Sequence, residues 1–411
     1  MGMIVQKFGG TSVGTIERIL KVADKIIAAK QKGNDVVVVV SAMGKSTDVL
    51  VDMANEICNE VPEREMDMLL STGEQVSIAL LAMALKSKGY SAVSLTGWQA
   101  GIITEPEHTE ARIKQIDTYK ILSHIQLGHI VIVAGFQGVT ENGEITTLGR
   151  GGSDTTAVAL AASLNADLCE IYTDVDGVYS ADPRIVPTAK KIKRISFDEM
   201  LEMSRLGASV LHPRAVKCAQ KYKVRLTVRS SFSNEEGTII QREFGIEDDG
   251  HVCGIAHSVN VVSITITNFP NEENTLYSLF SLFMQSRIHV DFIHQSSNDL
   301  LKTAVSFIVS NENAKRTLKL LEEHRESLHF DRVYTETGLA RVSIVGKGLS
   351  STMDIVARMY TALDLSNVST KMISTSQNKI SCLVPEGRMV TVVRTFHCTF
   401  GVDTTGLAMV H

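Results

Sequence analysis

The first 230 residues alternate short apolar runs with segments of helical periodicity. Residues 36–40 (VVVVV) form an uninterrupted β-branched run, which is typical of a strand covered on both faces of a parallel sheet. Residues 16–27 carry apolar side chains at spacings of three and four, which predicts an amphipathic helix capped by Thr15. Strands are also predicted at residues 3–8, 91–95, 130–134 and 169–172. This alternation predicts an α/β fold with a mostly parallel sheet sandwiched by helices.

Two further helical segments are predicted in the same region. One covers residues 111–127 and precedes the strand at 130–134. The other begins near residues 71–74, and its apolar stripe is predicted to consist of Val76, Ala79, Leu80, Met83 and Ala84.

Residues 146–154 (TTLGRGGSD) place three glycines within four positions in front of an apolar helical segment. Glycines allow a tight turn and a close approach of the backbone to a ligand. Ser153 or Asp154 is predicted to cap the helix, whose free N–H groups and dipole favour an anion. Arg150 adds a planar fork that fits a carboxylate or a phosphate. The alternative for this stretch is a tight turn with a solvated arginine.

Several polar residues follow predicted strands or lie in the loops after them. In parallel sheets ligands bind where the carboxyl ends of the strands open out, so these residues are expected to converge. They are Lys7, Ser41, Thr47, Arg150, Thr173 and Asp174.

Composition excludes several classes of protein. The formal net charge of −5 over 411 residues gives no electrostatic reason to expect nucleic acid. The six cysteines are scattered without CxxC spacing, which fits a reducing compartment and predicts neither a zinc site nor a disulfide framework. No signal segment is recognisable, and the densest apolar runs are far shorter than a membrane span. We therefore expect a cytoplasmic protein without a membrane partner.

The chain after residue 251 contains an internal repeat. Residues 261–267 begin a strand–helix–strand–strand–helix order that residues 340–345 restart, and the second strand of each repeat is predicted at 288–293 and at 368–373. Each repeat reads as βαββαβ, the ferredoxin-like order. Neither repeat concentrates catalytic side chains, so both are predicted to be binding or regulatory modules. Residues 241–251 (QREFGIEDDGH) are predicted to form a linker in front of them.

Residues 7–12 (KFGGTS) place an ammonium group and two glycines at the end of the first predicted strand. Phosphoryl transfer depends on such positioning and neutralisation of charge rather than on covalent chemistry. The sequence contains no GxxxxGK[ST], and no GxGxxG follows the first strand, so a P-loop fold and a dinucleotide fold are both disfavoured. Lys7 alone would be read as a solvated strand-end lysine; its combination with the arginine-containing stretch favours a phosphate site.

Six segments in sequence order carry a resemblance to a known family: KFGGTS (7–12), VVVVVSAMGKSTD (36–48), STGE (71–74), TLGRGGSD (147–154), YTDVDGVYSADPR (172–184) and LGASVLHPRA (206–215). Together they closely resemble the aspartokinases (aspartate kinases). The resemblance covers the whole chain in register, and the two repeats match that family's paired ACT domains. It implies four segments: a kinase domain at 1–240, the linker at 241–251, a first ACT unit at 260–337, and a second ACT unit at 252–259 and 338–411.

The resemblance implies ATP-dependent phosphorylation of the β-carboxylate of L-aspartate, which gives 4-phospho-L-aspartate. This reaction (EC 2.7.2.4) opens lysine, threonine and methionine synthesis. Mg²⁺ is expected with ATP, held by phosphates and water rather than by a protein metal site. Lysine and/or threonine are the implied feedback effectors, and a homo-oligomer through the ACT units is expected.

Site residues are carried over only at matching positions. The catalytic pair is Lys7 and Asp154. The ATP-binding set is Lys7, Phe8, Gly9, Gly10, Thr173, Asp174, Tyr179 and Arg184. The aspartate-binding set is Ser41, Thr47, Glu74, Arg150, Gly151, Gly152 and Ser153. Asp291 and Gln295 fall at effector-binding positions.

Two other functions remain open at this stage. One is an amino-acid-kinase-fold enzyme that acts on glutamate, acetylglutamate, carbamate or a nucleoside monophosphate. The other is a non-enzymatic amino-acid sensor, which would bind lysine or threonine without consuming ATP.

Overall fold

The computed structural model describes residues 2–58, 60–207, 210–242, 252–270, 274–297, 302–349 and 353–402. The chain divides into two compact units. The first unit comprises Met1–Val178 and Lys191–Ile246, and the second comprises Tyr179–Lys190 and Glu247–His411. The predicted linker at 241–251 lies outside the described residues from 243 onward.

The first unit is built on strands β1 to β12. Their bounds are β1 Met3–Phe8, β2 Asp35–Val40, β3 Ala92–Leu95, β4 Ile102–Thr104, β5 Ile113–Ile116, β6 Ile130–Ala134, β7 Gln137–Val139, β8 Ile145–Thr147, β9 Leu168–Thr173, β10 Arg194–Ser196, β11 Leu226–Ser230 and β12 Thr238–Gln241. Eight of them form one sheet in the order β10-β12-β11-β9-β1-β2-β6-β3. All neighbours from β11 to β3 are parallel. A smaller sheet has the order β5-β4-β7-β8.

Eight helices accompany these strands in the described part of the first unit. They are α1 Ile16–Gln31, α2 Ser46–Ile57, α3 Glu63–Leu70, α4 Thr72–Ser87, α5 Tyr119–Gln126, α6 Gly152–Ser163, α7 Phe197–Arg205 and α8 Pro213–Tyr222. The predicted cap of α1 is confirmed, because Thr15 Oγ1 accepts a hydrogen bond from Arg18 N (3.2 Å). The α/β fold with a mostly parallel sheet is likewise confirmed.

Two sequence predictions in this unit are wrong. Residues 111–127 are not one helix: β5 occupies the first part, and the helix α5 begins only at Tyr119. The predicted stripe of α4 is also wrong, because Val76 and Met83 are 54% and 64% exposed while Leu81 and Leu85 are fully buried. Since α4 is apolar on nearly every side, its periodicity did not reveal which side faces the core.

The helical stretch Glu63–Ser87 is, among the described residues, the one long and apolar enough to cross a membrane. It comprises α3 and α4, and 56% of its most apolar window is buried inside the structure. The expectation from sequence considered only unbroken apolar runs and therefore missed this stretch. Its burial is that of a core helix, because Ile78, Leu81 and Leu85 pack with residues of α1 and β2.

The second unit contains one six-stranded antiparallel sheet and five helices in its described part. Its elements are β13 Val252–Pro270, α9 Thr275–Gln285, β14 Asp291–Ser297, β15 Lys302–Ser310, α10 Asn311–Glu323, α11 Arg325–Leu328, β16 Arg332–Gly346, α12 Met353–Leu365, β17 Met372–Ser376, β18 Lys379–Pro385 and α13 Met389–Thr399. The sheet order is β14-β15-β13-β16-β18-β17. Residues 252–258 of β13 pair with the second half of β16, and residues 261–267 pair with its first half.

The predicted strands at 288–293 and 368–373 begin too early. The structure starts β14 at Asp291 and β17 at Met372. In both repeats the first apolar residue of the predicted strand closes the preceding helix: Ile288 N donates to Phe283 O (2.8 Å), and Val368 N donates to Leu363 O (3.1 Å). An apolar residue just past a helix commonly packs back on its last turn, so these residues extend the helix end rather than the strand.

Residues 179–190 pack with the second unit, although the predicted boundaries put them in the kinase domain. Ala181 and Val186 are buried in the same core cluster as Phe396. Ser180 Oγ lies within hydrogen-bond distance (2.9 Å) of His397 Nε2, and Ser180 O accepts a hydrogen bond from Ile255 N (2.7 Å). The segment is short and shows no periodicity, so its packing with the second unit could not be predicted from its residues alone.

The burial of α4 gives a direct test. Leu81→Ala should lower the free energy of unfolding by about 2–5 kcal/mol, because it leaves a cavity in a packed core. Met83→Ala on the same helix should change it by less than about 0.5 kcal/mol. Urea denaturation followed by far-UV circular dichroism measures both, and equal effects of the two substitutions would contradict the assigned buried face.

Candidate functional site

Loops of the first unit meet at the carboxyl ends of neighbouring parallel strands. These are the loops after β9, β1, β2 and β6, and such an edge is where open α/β sheets bind ligands. Four backbone hydrogen bonds connect them in turn: Gly9 N to Tyr172 O (3.3 Å), Ser41 N to Phe8 O (3.1 Å), Gly44 N to Gly10 O (3.0 Å) and Gly135 N to Val40 O (3.0 Å).

Glycine is required where the loops after β1 and β2 approach each other. A Cβ at Gly10 would lie 2.8 Å from Ala42 O, a contact that would push the two loops apart. A Cβ at Gly9 would lie 3.5 Å from Lys7 Nζ. The backbone at Gly10 therefore packs directly against the loop after β2. Residues 8–10 (the glycine cradle) bring main-chain groups beside the Lys7 ammonium, where phosphate oxygens can approach closely.

Lys7 and Asp154 form an ion pair across this edge. Lys7 Nζ lies 2.6 Å from Asp154 Oδ1, and the two side chains are only 11% and 13% exposed. Lys7 belongs to β1, and Asp154 lies in the first turn of α6, where the helix dipole favours a carboxylate. The pair therefore fixes a cation at the end of the strand, next to the glycine cradle.

The start of α6 differs from the sequence prediction. Gly151, with φ of +71°, is the residue that caps the helix, while Ser153 and Asp154 lie inside the first turn without a capping hydrogen bond. Gly149, with φ of +73°, precedes it in the same left-handed region. The two glycines adopt the backbone conformation that begins the helix, and a glycine at the N-cap position has no side chain with which to cap it.

The arginine loop, defined here as residues 148–151, is held by residues that come after it in sequence. The Arg214 guanidinium donates hydrogen bonds to Leu148 O and to Ala111 O (3.0 Å to Ala111). A Cβ at Gly151 would lie 2.1 Å from the His212 ring. Arg150 itself is exposed, and its guanidinium has no ion-pair partner in the described part of the chain. The backbone is fixed and the charge is free to meet a ligand.

Glu74 supplies a buried carboxylate at the same edge. It lies in the first turn of α4, is 3% exposed, and accepts a hydrogen bond through Oε1 from Ala42 N (3.1 Å). No hydrogen bond reaches Oε2 from any described residue. Burial raises the pKa of Glu74 to about 7. A buried acceptor without a partner is suited to a ligand that donates, such as an ammonium group.

The other residues predicted for the aspartate pocket also lie at this edge. Ser41 follows β2, and Thr47 is the second residue of α2. Ser153 is buried, and a Cβ at Gly135 in the loop after β6 would come within 2.7 Å of Ser153 Oγ. Ser41 and Thr47 thus lie in the loop and the helix start after β2, and Ser153 lies in the first turn of α6 next to Asp154, which pairs with Lys7.

The predicted nucleotide residues divide between the two units. Thr173 ends β9 and Asp174 follows it, and Thr173 Oγ1 donates to Asp174 Oδ1 (3.1 Å). Tyr179 and Arg184 lie in residues 179–190, which pack with the second unit. Arg184 is 90% exposed and hydrogen-bonds the Asp182 carboxylate. The cluster in the first unit therefore contains Thr173 and Asp174 but neither of the other two.

The predicted effector residues lie on the edge strand β14 of the second unit. Asp291 forms an ion pair with Arg341 of β16, and its Oδ1 accepts a hydrogen bond from Phe292 N (2.9 Å). Gln295 lies four residues further along the same strand and is exposed. Arg341 also donates to Ser258 Oγ (3.0 Å).

No group of three or more His, Cys, Asp or Glu side chains in the described ranges could hold a metal ion.

Sequence reasoning missed the residues that support the arginine loop. Arg214 and His212 lie in the LGASVLHPRA segment, and His212 is the N-cap of α8. Asp67 is a fully buried carboxylate that holds the strand leading into the loop through Thr147. Asp67 is one of four charged residues in α3 (EREMDMLL), so the sequence alone could not distinguish it from the charged residues on the exposed side of the helix.

Comparison with known proteins gives consistent matches for both units. A profile of the amino acid kinase family matches residues 2–230, and an ACT domain profile matches residues 342–400. The aspartokinase of Geobacillus stearothermophilus is 54% identical over 409 residues, which cover 100% of this chain and 100% of that protein.

Solved structures of Escherichia coli aspartokinase III are similar to this chain over nearly its whole length. The complex of that enzyme with aspartate and ADP (R-state) has a TM-score of 0.80 at 27% identity, covering 97% of this chain and 99% of that chain. Its complex with lysine and aspartate (T-state) has a TM-score of 0.74 at 26% identity, with the same coverage.

The packing of Gly151 against His212 gives a test with a matched control. Gly151→Ala and Gly143→Ala both place a side chain at positive φ (+71° and +87°), which costs about 1–2 kcal/mol. A Cβ at Gly143 meets nothing within 4 Å, whereas one at Gly151 overlaps the His212 ring. Gly151→Ala should therefore be the more destabilising, by a further ~1–3 kcal/mol. Thermal unfolding of the two variants measures the difference, and equal losses would contradict the close packing.

Proposed function

Because the chain belongs to the aspartokinase family, it is a phosphotransferase with a carboxyl group as acceptor (EC 2.7.2.4), and we propose in detail how it acts. It transfers the γ-phosphoryl group of ATP to the β-carboxylate of L-aspartate and releases 4-phospho-L-aspartate and ADP. The relative whose structure contains aspartate and ADP supports this pair of ligands.

The observation that carries the proposal is the position of Ala42 between Glu74 and the glycine loop that follows Lys7. Its N–H donates to the carboxylate of Glu74, and its C=O faces Gly10. The loop that holds a carboxylate suited to an amino acid's ammonium therefore packs against the loop that follows a cation suited to phosphate. This juxtaposition supports an enzyme that brings an amino acid to a triphosphate.

The two charges of the amino acid are bound by opposite groups. Glu74 accepts from the α-ammonium through its unpartnered Oε2, and Arg150 binds the α-carboxylate with two parallel hydrogen bonds. Ser41 and Thr47, together with the backbone of Gly151 and Gly152 and the Ser153 hydroxyl, hold the side-chain carboxylate. A site that binds both a positive and a negative group favours a free amino acid over a simple anion.

Lys7 stabilises the transferring phosphoryl group. As an oxygen of the β-carboxylate forms a bond to the γ-phosphorus, the bond from that phosphorus to the β–γ bridging oxygen breaks, and the electron pair leaves with ADP. The Lys7 ammonium, held by Asp154, neutralises charge on the transferring group, while Gly9 and Gly10 and the backbone of Phe8 line the phosphates. The attacking carboxylate is already ionised at neutral pH, so no general base is needed.

Nucleotide and metal binding complete the proposal. Thr173 and Asp174 contact the nucleotide at the end of β9, and we keep Tyr179 and Arg184 as proposed nucleotide contacts from residues 179–190. Mg²⁺ that arrives with ATP would supply further neutralisation of the phosphate charge. The residues of the chain position the triphosphate.

Regulation is proposed to act through the second unit. Lysine and/or threonine would bind near Asp291 and Gln295 of β14, and the relative solved with lysine supports an effector of this kind. The proposed role is the first step of lysine, threonine and methionine synthesis, in the cytoplasm, in a homo-oligomer formed through the ACT units. The proposed ACT boundaries are 260–337 for the first unit and 252–259 with 338–411 for the second.

An assay with hydroxylamine trapping tests the function. Hydroxylamine converts an acyl phosphate to a coloured hydroxamate, so the wild-type protein should give hydroxamate and ADP with L-aspartate and ATP. Glutamate, acetylglutamate and carbamate should give much less, and preference for one of them would refute aspartate as the acceptor. Adding lysine or threonine to the same assay identifies the effector.

Lys7→Met should lower kcat by about 10²–10³-fold, because it removes one preorganised electrostatic group that acts on the transferring charge. Lys21→Met removes a lysine that is 64% exposed on α1 and should leave kcat unchanged. Circular dichroism checks that both variants are folded. An active Lys7→Met protein would exclude Lys7 from the mechanism.

The raised pKa of Glu74 predicts the pH dependence of aspartate binding. Below its pKa of about 7, Glu74 is mostly neutral in the free enzyme and must lose its proton to bind an ammonium group. The KM for aspartate should therefore fall as the pH rises from 6 to 8. Glu74→Gln should raise that KM about 10- to 100-fold, the worth of a hydrogen bond to a charged group, and abolish its pH dependence. A pH-dependent KM in Glu74→Gln would assign the titration to another group.

A further inference from the structure

Asp67 is a fully buried carboxylate that binds two separate segments beside the arginine loop. It belongs to α3 and is 0% exposed. Thr147 Oγ1 donates to its Oδ1 (2.5 Å), and Thr109 N lies 3.0–3.1 Å from both oxygens. His108 Nδ1 lies 2.8 Å from Oδ2, and because a carboxylate only accepts, this nitrogen carries the proton.

The segment at residues 108–111 supports the arginine loop directly. A Cβ at Gly149 would lie 3.0 Å from Thr109 O, and Ala111 N donates to Thr147 O (2.9 Å). Thr109 has a φ of +62°, which is unusual for a β-branched residue. Such a conformation persists only where the surroundings hold it, and the two contacts from Thr109 N to Asp67 do so.

Asp67 and Glu74 belong to one helical stretch. Asp67 lies in α3, and Glu74 lies in the first turn of α4, which begins directly after the Ser71 that ends α3. At the Asp67 end, this stretch is hydrogen-bonded to β8, which leads into the arginine loop, and to residues 108–111, which contact that loop. At the Glu74 end, it carries the carboxylate proposed to bind the substrate ammonium. Asp67 therefore links the helical stretch that carries Glu74 to the segments that support Arg150.

We propose that Asp67 is a positioning residue for the amino-acid substrate, which sets the distance between the groups that bind its two charges. The identity of that substrate rests on the proposed function. Asp67 does not touch the substrate, because both of its oxygens are occupied and it has no exposed surface. It acts through Thr147 and through the backbone at Thr109, and its loss affects binding of the amino acid rather than of the nucleotide.

Asp67→Asn keeps the size of the side chain but removes the charge and half of its accepting capacity. It should raise the KM for aspartate about 10- to 100-fold, because misplacement of a binding group by about 1 Å is sufficient for such a loss. The KM for ATP should stay within about twofold, since the glycine cradle and Lys7 make no contact with Asp67. Thr147→Val removes one of the hydrogen bonds in a side chain of similar shape and should raise the KM for aspartate by a smaller factor.

Hydrogen exchange provides a readout that does not depend on turnover. The amides of residues 109–111 and 147–151 should exchange about tenfold faster or more in Asp67→Asn than in the wild type, because the local opening that exposes them becomes easier. Glu170→Gln is the matched control. Glu170 is 6% exposed and binds Gln6, Tyr172 and Arg229, but it has no contact with these segments.

The outcomes separate this inference from the proposed function. A selective rise in the KM for aspartate, with faster exchange in the two segments and neither effect in Glu170→Gln, supports it. Equal changes in both KM values, an unchanged KM for aspartate, or the same effects in Glu170→Gln would overturn it. If Asp67→Asn does not fold, Thr147→Val decides in the same way. A wild-type protein without turnover of aspartate would refute the proposed function, and the exchange measurements would still decide whether Asp67 positions the loop.

Discussion

An ammonium and a carboxylate 2.6 Å apart, both nearly withdrawn from water, form the interaction on which this site depends. Lys7 comes from the central strand and Asp154 from the helix behind it, so the pair joins two layers of the first unit. Each charge is tolerated because the other is present; removing one partner from such a pair costs about 3–5 kcal/mol when it is buried. Two structures are arranged around this pair. One is the start of α6, which follows the glycines at positive φ, and the other is the loop beside Lys7.

The sequence predicted the fold where a segment has one dominant pattern. The run of valines at 36–40 became β2, and the threonine before the first helix became its cap. Prediction failed where the pattern was compatible with more than one structure. Residues 111–127 contain enough apolar positions for a helix, but tertiary pairing with β4 takes residues 113–116 into a strand. In α4, apolar residues on all sides leave the buried face to be decided by its neighbours.

The site was predictable to the extent that glycines and charges occur together in short segments. The sequence neighbours of Lys7, Glu74 and Arg150 each predict a local structure, namely the glycine cradle, a helix start and a tight turn. Those of Asp67 and Arg214 do not, because the roles of these two residues depend on backbone carbonyls, amides and hydroxyls supplied from 42 to 103 residues away. Packing of residues 179–190 with the second unit is equally non-local. The sequence therefore indicates the groups proposed to bind a ligand better than the groups that hold them in place.

The long strand β13 gives the second unit an interleaved construction. Its first part contributes Ile255 to one helical layer, and its second part contributes Val262 and Ile264 to the other. In such a construction neither repeat can be deleted without damage to the other. Deletion of either repeat would remove a neighbouring strand from the sheet of the remaining one. The two copies are thus free to diverge in surface and ligand preference, while their backbones are inherited as one inseparable block.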